Sequence, residues 1–217
     1  PGQRRAGSEV ALSISVTDHG EEHEPRFTGV FRGLSEQKER AWALQQANEV
    51  FSAPDIAFDE RVSRLLELGS AVLGTEYGVL SQVRGDEYLF DTVVAPENAE
   101  TEAGDTVPLG ATNCERVVTT RESLVLDDVT RDAPELADRA GNAEWGISCY
   151  LGVPVVIDGD AVGTFCFYDM APRTKPFTDW QGTFIEHLGQ WISQTLEQRR
   201  HLEQLRALNE INRVVHE

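Results

Sequence analysis

Two apolar runs meeting across an Asp-Gly turn constrain this chain more than any other feature. Ile147 to Ile157 and Ala161 to Tyr168 are its most strand-like segments, and Asp158-Gly159-Asp160 joins them. Such a turn needs a left-handed backbone at its centre, which Gly adopts without steric cost, so Asp-Gly between apolar runs is the strongest short-range hairpin signal. A hairpin alone is marginal in water. The chain therefore has to supply more strands and build an antiparallel sheet.

A second hairpin is predicted from Tyr77 to Val83 and Tyr88 to Val94, turning at Arg84-Gly85-Asp86, and a short strand from Ser123 to Leu126. Helical spacing predicts a first helix from Ser35 to about Phe51, interrupted at Ala53-Pro54-Asp55. A second runs from about Asp59 to Leu73, with Val62, Leu65, Leu66 and Leu73 on one side and Gly74 as its stop. Further helices are expected over Ala111 to Thr120, capped by Thr112 or Asn113, and over Ala133 to Ala140, closed by Gly141. The acidic stretch from Pro96 to Asp105 reads as a loop, and a last helix begins near Thr178 and runs to the end of the chain. Near the N-terminus, residues 10 to 16 and 27 to 31 read as two strands joined by a polar turn.

The balance of charge narrows the partners. Asp and Glu number 37 against 19 Lys and Arg, a formal net charge of −18, which repels phosphate backbones and anionic lipid. Direct nucleic-acid contact is not expected of this segment, nor is a membrane. Lys38 and Lys175 are the only lysines, so 17 of the 19 basic residues are arginines, a composition that resembles proteins of salt-loving archaea. No apolar run reaches the roughly 18 residues that a spanning helix needs, and three widely spaced cysteines, Cys114, Cys149 and Cys166, suit free thiols in a reducing, cytoplasmic compartment.

One family uses the order helix, two strands, loop, helix, strand, helix, two strands, helix. The segment Ser148-Cys149-Tyr150-Leu151-Gly152-Val153-Pro154-Val155, then Gly159, then Gly163-Thr164-Phe165-Cys166-Phe167-Tyr168-Asp169 resembles the late hairpin of GAF domains. Pro176-Phe177-Thr178 resembles the family's entry into its last helix, and with Leu109 to Cys114 the likeness spans about residues 56 to 198. The resemblance implies an α+β fold, with a central antiparallel sheet, flanking helices and a long C-terminal signalling helix. It also implies small-molecule sensing, dimerisation and control of an attached output domain. It names no ligand and no cofactor.

Segments outside this domain carry weaker likenesses. Arg26 to Glu39 resembles the last strand and exit helix of PAS domains, which makes 1–34 the end of a truncated PAS-like unit and 35–55 a linker helix. Leu202, Leu205, Leu208, Ile211 and Val215 recur at spacings of mostly three and four, so 199–217 reads as a coiled-coil linker of a parallel homodimer. Leu208 to Val215 resembles linkers of regulators of the bacterio-opsin activator type and of sensor histidine kinases.

The ligand cleft is expected over the sheet face opposite the terminal helices, walled by residues 109 to 120 and 127 to 150. Its expected lining is Cys114, Asp128, Trp145, Tyr150, Cys166 and Tyr168, aromatic area for stacking with a few polar groups to orient the ligand. Bilin-binding relatives attach chromophore through a Cys followed by His, whereas Glu115 follows Cys114. No Cys or His pair has metal-site spacing. No Walker or dinucleotide glycine motif is present, and His187, the one histidine inside the domain, reads as a helix-surface residue. Sensing without catalysis is the leading expectation. The alternative enzyme is a GAF-fold free methionine sulfoxide reductase, using cysteines as nucleophile and resolver.

Overall fold

The computed structural model describes residues 2–3, 9–10, 12–18, 27–33, 35–54 and 56–215, with side chains over 36–54 and 56–207. Two compact units divide the chain, 1–49 and 50–217. In the first, β1 (Gly2–Gln3) pairs with β2 (Glu9–Val10), and β3 (Leu12–Asp18) runs antiparallel to β4 (Phe27–Gly33). The expected strand pair is therefore present. Arg26 and Leu34 of the PAS-like motif, and the side chains of Leu208, Ile211 and Val215, lie outside the described residues. The helix α1 (Ser35–Ser52) follows β4.

The second unit is a six-stranded antiparallel sheet in the order β7-β6-β5-β10-β9-β8. Its strands are β5 (Tyr77–Arg84), β6 (Glu87–Val94), β7 (Thr106–Pro108), β8 (Leu124–Leu126), β9 (Cys149–Ile157) and β10 (Asp160–Asp169). Both expected hairpins form. Asp158 and Gly159 take φ of 53° and 83° at the β9–β10 turn. The long hairpin places β10 at the centre of the sheet, paired with β9 on one side and β5 on the other.

Helices cover one face. α2 (Phe58–Leu73) packs on β5 and β6, and α6 (Asp179–Val215) packs on β9. The apolar stripe expected of α2 is its buried side, where Val62, Leu65, Leu66 and Leu73 are sequestered, and Gly74 closes it in a left-handed conformation. α6 contributes Phe184, Ile185, Leu188 and Ile192 to the same core, and His187 on its outer side is exposed.

Strand alternation divides the central hairpin between two environments. Phe165 and Phe167 of β10 and Leu151 and Val153 of β9 turn to the helices: Gly69 of α2 lies under the Phe167 ring, and Gly189 of α6 lies against Val153. Thr164, Cys166, Tyr168 and Tyr150 turn to the other face.

That other face is covered by short elements, and here the sequence expectations need correction. In place of one helix from Ala133 to Ala140 the chain forms α4 (Val129–Asp132), a 3-10 turn (Pro134–Leu136) and α5 (Ala140–Ala143). Pro134 has no N–H to continue a helix, and Ala133 sits at φ −147°, ψ 68°, outside the helical region. The helix expected from Ala111 also starts later, as a 3-10 turn (Leu109–Ala111) and then α3 (Cys114–Thr120). Neither Thr112 nor Asn113 caps it: the Thr112 hydroxyl donates to the Leu109 carbonyl, and the Asn113 amide is engaged by Asn142. β7 follows directly on the stretch that reads as loop and has no expected counterpart, pairing Thr106 to Pro108 with Leu89 to Glu87. Three residues are too few to show alternation.

Candidate functional site

On the face opposite α2 and α6, a small chamber of about 50 Å³ is lined by β6, α3, the segment 145–150 and β10. Its floor is polar and fully buried. Cys114 Sγ lies 3.1 Å from the Tyr150 hydroxyl, 3.5 Å from the Tyr88 hydroxyl and 3.7 Å from Cys166 Sγ, and Tyr88 Oη lies 3.7 Å from Cys166 Sγ. A second buried polar pair adjoins it, Ser81 Oγ to Thr164 Oγ1 at 2.9 Å across β5 and β10.

Strand register places the groups opposite Cys114, which itself begins α3. Tyr168 pairs with Tyr150, and Cys166 with both Gly152 on β9 and Val79 on β5. Gly152 is required here, because a Cβ at that position would stand 2.1 Å from the Tyr150 hydroxyl oxygen. The absence of a side chain lets the Tyr150 ring lie along β9 and bring its hydroxyl to Cys114.

The roof is held by side chains rather than by regular structure. Asn113 and Asn142 exchange two amide hydrogen bonds of 2.8 and 2.9 Å, and the Asn142 amide also donates to the Leu136 carbonyl. The Arg139 guanidinium donates to the Thr112 carbonyl and forms a 2.6 Å ion pair with Glu115, only part-exposed. These bonds fix α5 over the start of α3, where short helices could not hold themselves.

Burial opposes charge on the Cys114 thiol, but hydrogen bonds from Cys166, Thr164, Tyr150 and Tyr88 outweigh it and lower its pKa from 9.0 to about 6. The bonded Cys114 keeps Cys166 protonated, burial adding to this, and burial likewise holds Tyr88 and Tyr150 in their protonated, donating forms. Cys149 differs: it points to the helix face, buried, and burial pushes its thiol up to about 11. Among the described residues no cluster of His, Cys, Asp and Glu could hold a metal ion, and no helix is long and apolar enough to cross a membrane.

The chamber opens outward into a vestibule of about 590 Å³, which shares Phe90, Thr101, Trp145 and Met170 with it. Trp145 and Met170 are 39% and 41% exposed, so the boundary between the two spaces is made of large side chains facing solvent. Stacked Tyr77 and Tyr168, with ring centroids 4.9 Å apart, line the vestibule and the chamber respectively. Glu100, Asp105 and Glu144 give the vestibule an acidic rim. A different cleft of about 420 Å³ lies near α6 and the far ends of β5, β6 and β9. Three of its charged side chains are engaged within the fold: Asp91 accepts from Gln82, Arg200 pairs with Asp158 at 3.4 Å, and Arg199 lies over the Phe58 ring.

Five of the six residues expected to line a cleft, Cys114, Trp145, Tyr150, Cys166 and Tyr168, converge on the chamber. Asp128 does not. It is the N-cap of α4, its Oδ1 accepting from the N–H of Thr130 and of Arg131 and from the Thr130 hydroxyl, and these bonds hold its carboxyl below the usual range. Asp128→Ala is therefore expected to lower the urea midpoint by removing the cap of α4 and to leave the chamber's thiol chemistry unchanged; altered Cys114 reactivity would contradict the assignment. Thr112, Asn113 and Ile147 lie within the expected walls, whereas Tyr88, Phe90, Thr101 and Met170 line the chamber from outside them. Tyr88 and Phe90 carried a usable signal, since they alternate along β6 as Cys166 and Tyr168 do along β10.

The GAF domain family model matches residues 57–196, and the chain belongs to the GAF family. Solved structures share the fold at low identity. The GAF domain of an Acinetobacter phosphoenolpyruvate-protein phosphotransferase aligns at 13% identity with a TM-score of 0.58, over 78% of this chain and 98% of that one. Free methionine-R-sulfoxide reductase of Neisseria meningitidis, solved with its substrate, aligns at 16% identity and 0.59, over 77% and 93%. The chromophore-binding domain of an unusual bacteriophytochrome from R. palustris aligns at 10% and 0.63, over 92% and 73%. A search of curated proteins returned no match.

Proposed function

We propose that this chain is the sensory module of a multi-domain signal-transduction protein, binding a small molecule in the chamber and vestibule and performing no catalysis of its own. One observation carries the reading: the hairpin that floors the chamber is also the surface on which α6 lies. Val156 N–H donates to Ser193 Oγ at 3.0 Å, Asp158 N–H donates to Glu197 at 3.1 Å, and Arg200 and His201 approach the Asp158 carboxylate. A ligand that displaces Tyr150 or Tyr168 acts on the strands that α6 grips, and binding that favours one arrangement shifts the population toward it. GAF membership and the likeness to modules of phosphotransferases and bacteriophytochromes support a signalling role.

In this reading the protein works in the cytoplasm as a parallel homodimer, with α1 and α6 forming a bundle, and a PAS-like unit precedes the domain. The output module is a helix-turn-helix or a kinase, and this segment touches no nucleic acid. Exposed Trp42 and Leu44 on α1 and Leu202 and Leu205 on α6 are the apolar surface such a bundle would cover. Haloarchaeal origin fits a charge of −18, which molar salt screens to about 3 Å. The test is a small-molecule thermal-shift screen of the reduced protein, followed by amide exchange. A stabilising compound is expected to protect residues 112–114 and 145–150, and Tyr168→Ala is expected to weaken it at least about tenfold by removing stacking area. Protection confined to the cleft beside Arg199 would sink the assignment.

The juxtaposition of Cys114 and Cys166 favours one second reading, reduction of free methionine sulfoxide. Turnover of that substrate with a thiol reductant, abolished in Cys114→Ser, would establish it.

A further inference from the structure

From the packing of two thiols on the floor of a small chamber, we infer that Cys114 and Cys166 form a reversible intramolecular disulfide when hydrogen peroxide enters, so that the site registers oxidant as well as ligand. The inference rests on the sensory reading of the chamber and deepens it.

Distance comes first. The two sulfurs stand 3.7 Å apart and both are fully buried. A disulfide needs about 2.0 Å, so the pair closes by a shift of under about 2 Å, and the segment that has to move is the start of a seven-residue helix joined to a 3-10 turn. β10 is the fixed partner, because Cys166 sits in the middle of a central strand bonded on both sides.

Size selects the oxidant. A chamber of about 50 Å³ has room for a few water-sized molecules, one of which needs about 10–15 Å³ of such space. Peroxide is of that size and exchanges hydrogen bonds as water does, and the Tyr88 and Tyr150 hydroxyls that surround the sulfur can hold it. Trp145 and Met170 line both the chamber and the vestibule, and the chamber's volume is too small for a sulfoxide of amino-acid size to sit wholly inside it.

Chemistry assigns the roles. The titratable groups facing Cys114 are Tyr88 from β6, Tyr150 from β9 and Cys166 and Tyr168 from β10, with the Arg139–Glu115 ion pair at the edge of α3. Cys114 carries the lowered pKa and Cys166 the raised one, so Cys114 is the nucleophile and Cys166 the resolving thiol. The Cys114 thiolate attacks one peroxide oxygen, the O–O bond breaks, and the departing hydroxide takes up the proton that the Cys114 thiol released on ionising, leaving as water. This leaves a sulfenic acid on Cys114. The Cys166 sulfur then attacks the Cys114 sulfur; its own proton departs with the hydroxyl as a second water. Two thiols give up two electrons in all, peroxide accepts them, and an external dithiol restores the pair.

The reduced 217-residue chain treated with hydrogen peroxide, and separately with methionine sulfoxide, tests this. In the peroxide arm the intact mass is expected to fall by two hydrogens and peptide mapping to link Cys114 to Cys166. The oxidation rate is expected to rise through pH 6 and not through pH 9, following the nucleophile. Cys166→Ser is expected to stop at a dimedone-reactive sulfenic acid on Cys114, and Cys149→Ala to behave as wild type. Peptide mapping of the wild-type protein needs no variant, so a misfolded mutant does not block the test. A link involving Cys149, oxidation that follows a pKa near 9, or oxidation by methionine sulfoxide alone would each overturn the inference. Small-molecule stabilisation of the reduced protein without any disulfide would overturn it too, while leaving the sensory reading intact.

Discussion

Phe167→Ala is expected to lower the unfolding free energy by about 3–5 kcal/mol, the range for emptying a large aromatic site in a packed core. The ring is wholly buried. It meets Phe165 edge-on at 5.0 Å and fills the space over two glycines, where a Cβ at Gly69 would fall 2.2 Å from its tip and one at Gly78 3.1 Å from its edge. α2 comes this near to β5 and β10 only because Gly69 has no side chain, so nothing nearby can swing in to refill the void. Phe167→Leu keeps part of the volume and should cost less. Urea denaturation checks both, and a loss below about 1 kcal/mol for the alanine variant would show that α2 collapses onto the sheet.

Gly163→Ala is expected to be nearly as severe, at about 3 kcal/mol or more, for the opposite reason. At this bulge in β10 an added Cβ would stand 1.9 Å from the Ser81 carbonyl oxygen and 2.9 Å from its carbon. These are backbone atoms of the neighbouring strand and cannot rotate away. β5 and β10 have to part, which also pulls Ser81 from Thr164. Amide exchange should accelerate first along Leu80, Val79 and their partners Phe165 and Cys166. Gly159→Ala provides the contrast, since its turn has open space and only the cost of φ +83°, about 1 kcal/mol. Equal losses for the two would refute the account of close strand approach.

Gly163, with Gly69 and Gly152, marks the limit of what the sequence disclosed. Both hairpins, α2 with its Gly74 stop and the entry to α6 could be read directly, because alternation, helical period and turn chemistry are local signals. Gly69, Gly152 and Gly163 act through residues tens of positions away or through a neighbouring side chain, and nothing local distinguishes them from turn glycines. The segment Ala133 to Ala140 reads as one helix because its alanines favour helix, whereas Pro134 limits it to a 3-10 turn and a separate short helix follows from Ala140. For the site, Trp145 and the strand residues were legible as aromatic or thiol positions on a cleft face. Asp128 was read as a ligand contact because a capping carboxylate and a binding carboxylate look alike until their hydrogen bonds are known.

The ties between α6 and the long hairpin have a mechanical consequence. Ser193 meets β9 at Val156, and His201 reaches the turn at Asp158; at 1.5 Å per residue these footholds are about 12 Å apart along the helix axis. The helix continues to Val215, roughly 21 Å beyond the second foothold at the same rise. With His201 as the pivot α6 is a lever with a gain near two, and a displacement of about 1 Å at Ser193 arrives at Val215 as almost 2 Å.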